Sequence, residues 1–146
     1  MPVAHTEQFG DLEYTEDATL LFPRGLPGFE QTRRFVILDQ PDLSPLIHLQ
    51  SLEAPDLCFL ALPIHTLDPD YDPALTPEDQ QALSLPFHKP ATLLLALLSV
   101  ATDGSLTANL LAPIVVNLAN RSAVQAVRTD TRYSHQHPVG EVSSCS

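Results

Sequence analysis

The chain has 146 residues, enough for one domain that buries roughly two-thirds of its unfolded surface. Hydrophobic residues make up 44%, which excludes global disorder. Eighteen acidic side chains oppose seven basic ones for a formal charge of −11, beyond the magnitude of roughly 2–8 usual for a small domain, and such a field repels nucleic acid and anionic lipid.

The same charge either keeps the chain soluble or attracts a basic protein and speeds its arrival. It is concentrated: residues 35–88 contain no Lys or Arg but hold Asp39, Asp42, Glu53, Asp56, Asp68, Asp70, Asp72, Glu78 and Asp79. A face built from this stretch is strongly negative. The N-terminus lacks the basic and apolar regions of an export signal. The longest apolar run, 91–101, has about half the length needed to cross a bilayer. A cytoplasmic protein without a membrane partner is expected. Of the two cysteines, Cys58 reads as a small buried hydrophobe, and Cys145 stands next to last, so no disulfide framework is expected.

Fourteen prolines leave few windows for a long helix, and short β-favouring runs lie between them. Residues 10–14 and 19–22 flank Glu16-Asp17, whose turn chemistry predicts a hairpin. Next come Phe22-Pro23-Arg24-Gly25-Leu26-Pro27-Gly28-Phe29, where Pro23 presets φ for a turn that Gly25 completes. Pro27-Gly28 supplies the central residues of a type II turn. Phe22, Leu26 and Phe29 are expected to plug this corner. Its prolines and the absence of a G-K-[ST] sequence argue against a phosphate loop.

Strands are predicted at 34–38, 46–52 and 57–62, the last buried on both faces. Asp68-Pro69-Asp70-Tyr71-Asp72-Pro73 has alternating carboxylates like a calcium loop but lacks its central Gly and distal Glu. It reads better as an exposed acidic loop with Tyr71 as an aromatic interface anchor. Thr76 caps a short helix that starts at Pro77, carries Glu78-Asp79 in its first turn and ends near Leu83. The run 91–101 has helical propensity in its Leu and Ala, but Pro90 and Asp103-Gly104 bracket it as a strand.

Asp103-Gly104 is a hairpin signal leading into 106–108. Pro113 belongs at an edge or bulge, a place where a partner strand can add, and Leu110-Leu111 beside it is either core or an exposed rim. A strand at 114–117, a turn at 117–120 and a last strand at 122–128 follow. Residues from about 134 onward read as a loose tail. The sum is an all-β, mainly antiparallel domain, a small β-barrel-like or sandwich fold with one short helix. Its bounds are 1–139, followed by a flexible 140–146.

No nucleophile–base or metal-ligand spacing stands out. His135-x-His137 is the only close histidine pair and has no matching pair elsewhere. His48 and His65 make no specific triad. No catalytic residue, metal or cofactor is therefore expected. Asp68, Asp70, Tyr71, Asp72, Asn109, Leu110 and Pro113 are the candidate partner-binding residues, and Pro23, Gly25, Pro27 and Gly28 the structural turn residues. The competing reading is a metal-dependent hydrolase built on His65, Asp70 and Asp72.

Taken together, several segments resemble the flagellar assembly factor FliW family over about residues 9–139. They are Leu21-Phe22-Pro23-Arg24-Gly25-Leu26-Pro27-Gly28-Phe29-Glu30, Arg34-Phe35-Val36-Ile37-Leu38, Leu49-Gln50-Ser51 with Pro55-Asp56-Leu57-Cys58-Phe59, and Asp68-Pro69-Asp70-Tyr71. Thr107-Ala108-Asn109-Leu110-Leu111-Ala112-Pro113-Ile114-Val115-Val116-Asn117 and Arg132-Tyr133-Ser134 with His137-Pro138 complete the set. Ile64-His65-Thr66-Leu67 depart from it, since aromatic residues are usual before the Pro-Asp-Tyr.

The resemblance implies a cytoplasmic, non-enzymatic barrel-like protein. It further implies binding to the translational regulator CsrA, which relieves repression of flagellin messenger RNA, and binding to flagellin, which draws the factor away again. Relief could come by population shift or by field repulsion near the RNA. A flagellin-shielding chaperone without effect on RNA regulation is the nearest alternative.

Overall fold

The computed structural model describes residues 2–7, 9–26, 28–39, 42, 44–73, 75–83, 92–128 and 133–140. The strands are β1 (Val3–Thr6), β2 (Gly10–Glu13), β3 (Thr19–Leu21), β4 (Arg34–Asp39), β5 (Ile47–Ser51), β6 (Cys58–Pro63), β7 (Thr92–Val100), β8 (Leu106–Ala108), β9 (Ile114–Asn117), β10 (Ser122–Gln125) and β11 (His137–Gly140). A single α-helix among the described residues, α1 (Pro77–Leu83), starts where the capping pattern predicts.

Seven strands close a barrel in the order β7, β6, β5, β4, β3, β10, β9 and back to β7. Every pair in the ring is antiparallel except β3 with β10, which meet in parallel at Leu21 and Ser122. Closure leaves these strands few open edges, the usual hazard of a sheet. The nine-residue β7 is shared along one edge. Its first half pairs with β9 (Thr92↔Asn117 to Leu95↔Ile114), its end with β8 (Leu98↔Ala108 to Val100↔Leu106). β8 and β9 thus lie end to end, and residues 109–113 carry the chain between them.

Alternation along β7 divides two cores. Leu95 points into the barrel with Phe22, Leu26, Phe35, Leu49, Ile114, Val116 and Ala123. Leu94 and Ala96 point outward, where Ile64, Tyr71, Leu83, Leu110, Val115 and Val124 form a second buried cluster. The outward cluster explains why β9 is buried at all four positions, a pattern no one-sided sheet would give. Leu110 is core, 1% exposed.

The helix is tied at both ends. Asp79 N–H donates to Thr76 Oγ1 at 3.1 Å and Thr76 N–H to Asp79 Oδ2 at 3.2 Å, a reciprocal capping box. At its other end Asn117 Nδ2 and Asn120 Nδ2 donate to the Leu83 carbonyl at 2.9 and 3.3 Å.

Several expectations are corrected. Residues 10–14 and 19–22 do not form a hairpin: β2 pairs with β1, from Val3↔Glu13 to Thr6↔Gly10, and β3 joins β4. Glu16–Ala18 is a 3₁₀ turn that carries the chain from the outer hairpin into the barrel. Gly10-Asp11-Leu12-Glu13 lacks the apolar alternation a barrel strand needs. The supposed loose tail contains β11, which pairs with β8 (His137↔Ala108, Pro138↔Thr107) while Val139 packs on the outer cluster. Residues 141–146 and Cys145 lie outside the described residues.

β10 ends at Gln125, though Ala126 N–H and Arg128 N–H still donate to the Pro113 and Leu111 carbonyls at 2.9 Å each. β6 is buried on both faces only at Ala61 and Leu62, and Cys58 is half-buried. Desolvation raises the Cys58 thiol pKa.

The corner at residues 22–30 forms by the expected turns. Gly25 N–H donates to the Phe22 carbonyl at 2.9 Å and Phe29 N–H to the Leu26 carbonyl at 2.7 Å, with Gly28 at φ +85° as a type II turn requires. Pro27 lies outside the described residues. Phe22 and Leu26 are buried as expected, whereas Phe29 is 43% exposed and only edges onto Phe59. Gly25 is the more constrained glycine: at φ +66°, an added Cβ would sit 2.5 Å from the Glu30 carbonyl oxygen. Among the described residues nothing lies within 4 Å of a Cβ on Gly28.

Gly25→Ala is therefore expected to cost more than Gly28→Ala, about 3 kcal/mol or more against about 1 kcal/mol, from backbone collision added to positive-φ strain. Thermal melts of the two variants check the ordering, and equal melting points would remove the close-approach argument.

Candidate functional site

The structure brings the acidic loop and residues 109–113 together. Tyr71 Oη donates to the Leu110 carbonyl at 2.5 Å, and Leu110 N–H donates to the Ser134 carbonyl at 3.0 Å. The Tyr71 and Tyr133 rings lie 4.6 Å apart, and the Arg128 guanidinium sits 5.2 and 4.8 Å from their centres. Such cation–ring contacts strengthen when the cation is withdrawn from water, and Arg128 is buried. Arg128 Nη1 also donates to the Asp72 carbonyl, and Tyr133 Oη donates to Asp68 Oδ2 at 2.8 Å. A stack of two tyrosines and an arginine thus holds the loop in one shape.

This placement corrects the reading of Tyr71 as an exposed aromatic anchor. It is 4% exposed and belongs to the outer core. Leu110 and Pro113 are buried too. Asp68 is half-buried, with Oδ1 accepting Asp70 N–H at 3.0 Å. Asn109 is half-buried, and its Oδ1 accepts the N–H groups of Leu111 and Ala112 at 3.1 and 3.0 Å, turning the chain between β8 and β9. The edge at Pro113 is not open to an added strand, because residues 126–128 already bond to it. Of the candidate residues, Asp70 and Asp72 alone are exposed.

Comparison with known proteins decides the family. The family model described as FliW protein matches residues 3–139. The chain belongs to the FliW family. It is 36% identical over 138 residues to the flagellar assembly factor FliW of Bdellovibrio bacteriovorus, covering 94% of this chain and 78% of that one. The FliW of Bacillus subtilis is 32% identical over 138 residues, 94% and 96% of the two chains. A crystal structure titled as the flagellar assembly factor FliW superposes with a TM-score of 0.82 at 34% identity, covering 94% of this chain and 96% of that chain.

Among the described residues no group of three His, Cys, Asp or Glu is placed to hold a metal ion. His65 Nε2 lies 3.3 Å from the Tyr71 carbonyl oxygen. No helix among the described residues is long and apolar enough to cross a membrane. Acidic side chains do much structural work: Glu53 Oε1 accepts the N–H groups of Arg33 and Arg34 at 2.6 and 3.0 Å.

Sequence reasoning missed two residues that organise this FliW fold. Arg128 could have been noticed as a lone cation closing the predicted strand 122–128. Arg24, inside the corner, donates to Asp79 at 2.6 Å, joining the corner to α1 across 55 positions of sequence. Burial disfavours the charged form of Asp79, but Arg24 and the Thr76 donors outweigh it and hold the carboxyl below its ordinary value.

Two outcomes are expected. Tyr71→Phe leaves the Leu110 carbonyl without its hydroxyl donor and should cost about 1–2 kcal/mol in urea melts. Because the folded pKa of Asp79 is lowered, its stabilisation is complete above the unfolded value near ~4 and lost as pH falls through the folded one. Asp79→Asn should be less stable than the parent at neutral pH, with the two stability curves converging in acid. Parallel curves down to acid pH would dismiss the ion pair as a stabilising feature.

Proposed function

We propose that this protein is a cytoplasmic flagellar assembly factor that works by being occupied. It binds a CsrA-type translational regulator, lowers that regulator's hold on flagellin messenger RNA, and gives it up when flagellin binds instead. The observation that carries this reading is the FliW match over residues 3–139. The charge of −11 supports it, since a regulator that holds RNA must present cations, and an acidic partner is drawn to them. Asp70 and Asp72 are the exposed carboxylates of a loop held rigid from below, which limits the ordering cost on binding. Asp68, Tyr71, Asn109, Leu110 and Pro113 support that surface from within.

An RNA gel shift with the regulator, with and without this protein and then with added flagellin, tests the cycle. Release of RNA on adding the protein, reversed by flagellin, is expected. Flagellin binding with no effect on the RNA complex would instead make the protein a shielding chaperone. In the double variant Asp70→Lys, Asp72→Lys, association with the regulator is expected to slow roughly tenfold at low salt, with a weaker salt dependence. Stopped-flow rates identical to the parent's would reduce the loop to a solvated surface.

A further inference from the structure

Beside the corner at residues 22–30, the start of α1 and the end of β10 leave an open pocket of about 400 Å³. Arg24, Glu30, Thr76, Asp79, Gln125 and Val127 line it. Cavities that bury small molecules are walled mainly by apolar and aromatic side chains, and here, among the described residues, Val127 is the one apolar side chain in the lining. Arg24 is already engaged through Nη2 with Asp79 at 2.6 Å.

What remains is rich in acceptors. Among the described lining residues the charges of Arg24 and Asp79 offset, so the Glu30 carboxylate sets the sign. Its Oε2 accepts Gly28 N–H at 2.7 Å, and among the described residues no cation stands within ion-pair distance of it. Gln125 donates through Nε2 to the Ala112 carbonyl at 3.1 Å, leaving its amide oxygen to accept. Val127 is 57% exposed and presents an apolar wall beside these groups. That combination suits a side chain with a cationic head and an aliphatic stem.

We propose that this pocket is a socket for a Lys or Arg side chain of a protein partner, with its head between Glu30 and the Gln125 amide oxygen and its stem along Val127. The inference rests on the reading of the protein as a binder of a basic partner, and names where one of that partner's cations is seated.

Two variants test it with the CsrA-type regulator as probe and calorimetric titration as readout. Val127→Lys changes an exposed position and places a competing ammonium at the socket. Glu30→Gln removes the charge but keeps an acceptor for Gly28 N–H. With melting points unchanged, binding is expected to weaken roughly tenfold or more for Val127→Lys and roughly three- to tenfold for Glu30→Gln. If the parent binds and both variants stay within about twofold of it, the socket is overturned while the binding function stands.

If the parent binds neither regulator nor flagellin, the proposed function falls, and N-acetylarginine amide becomes the probe for the socket. Saturable amide NMR shifts at Glu30, Gln125 and Val127, absent with the norleucine derivative, would support it. No shifts, or equal shifts with both compounds, would overturn it.

Discussion

One edge of β7 has to serve two strands, and much of the rest of the fold follows. β9 takes the first half and closes the barrel, while β8 takes the end and carries β11 beyond it. The chain must therefore leave that edge and return to it within residues 109–113. Asn109 makes this possible by accepting the two N–H groups at the start of the crossing, and Leu110 fixes it by entering the outer core. Once Leu110 is inside, its carbonyl needs a donor, and Tyr71 brings the acidic loop with it. The position of the loop is thus a consequence of strand bookkeeping around β7.

The outer core gives the protein two kinds of acid. Asp68 and Asp79 accept from tyrosine, arginine or backbone donors and shape the molecule from within. Asp70 and Asp72 face water on a loop that the Arg128 and tyrosine stack keeps from collapsing. A net charge alone does not separate these groups, which differ in exposure. Arginines divide in the same way: Arg128 is buried in the tyrosine stack, whereas Arg24 pairs with Asp79 while still facing water.

Local chemistry was the legible part. Thr76 with Asp79, Asp103-Gly104, and Gly25 with Gly28 each act over a few residues, and each turn or cap formed where the sequence placed it. Pairing across the sheet was less so. Glu16-Asp17 does turn the chain, but whether the flanking strands then pair depends on apolar faces that β2 does not have. β11 was missed because Pro138 and the polar residues around it carry no strand pattern, and its order comes from β8 and the burial of Val139. Tyr71 was placed on the surface because its neighbours are acidic. A long side chain can point away from the water its neighbours face, and spacing alone does not report it.

Strand β9, with water on neither face, bears on what family resemblance can tell. Each of its four positions is hemmed in, so drift there meets steric refusal whatever docks on the outside. Segments of this kind act as the molecule's fingerprint because architecture polices them. They mark kinship reliably and are silent about partners, whose choice is written in the few wet side chains that remain free to vary.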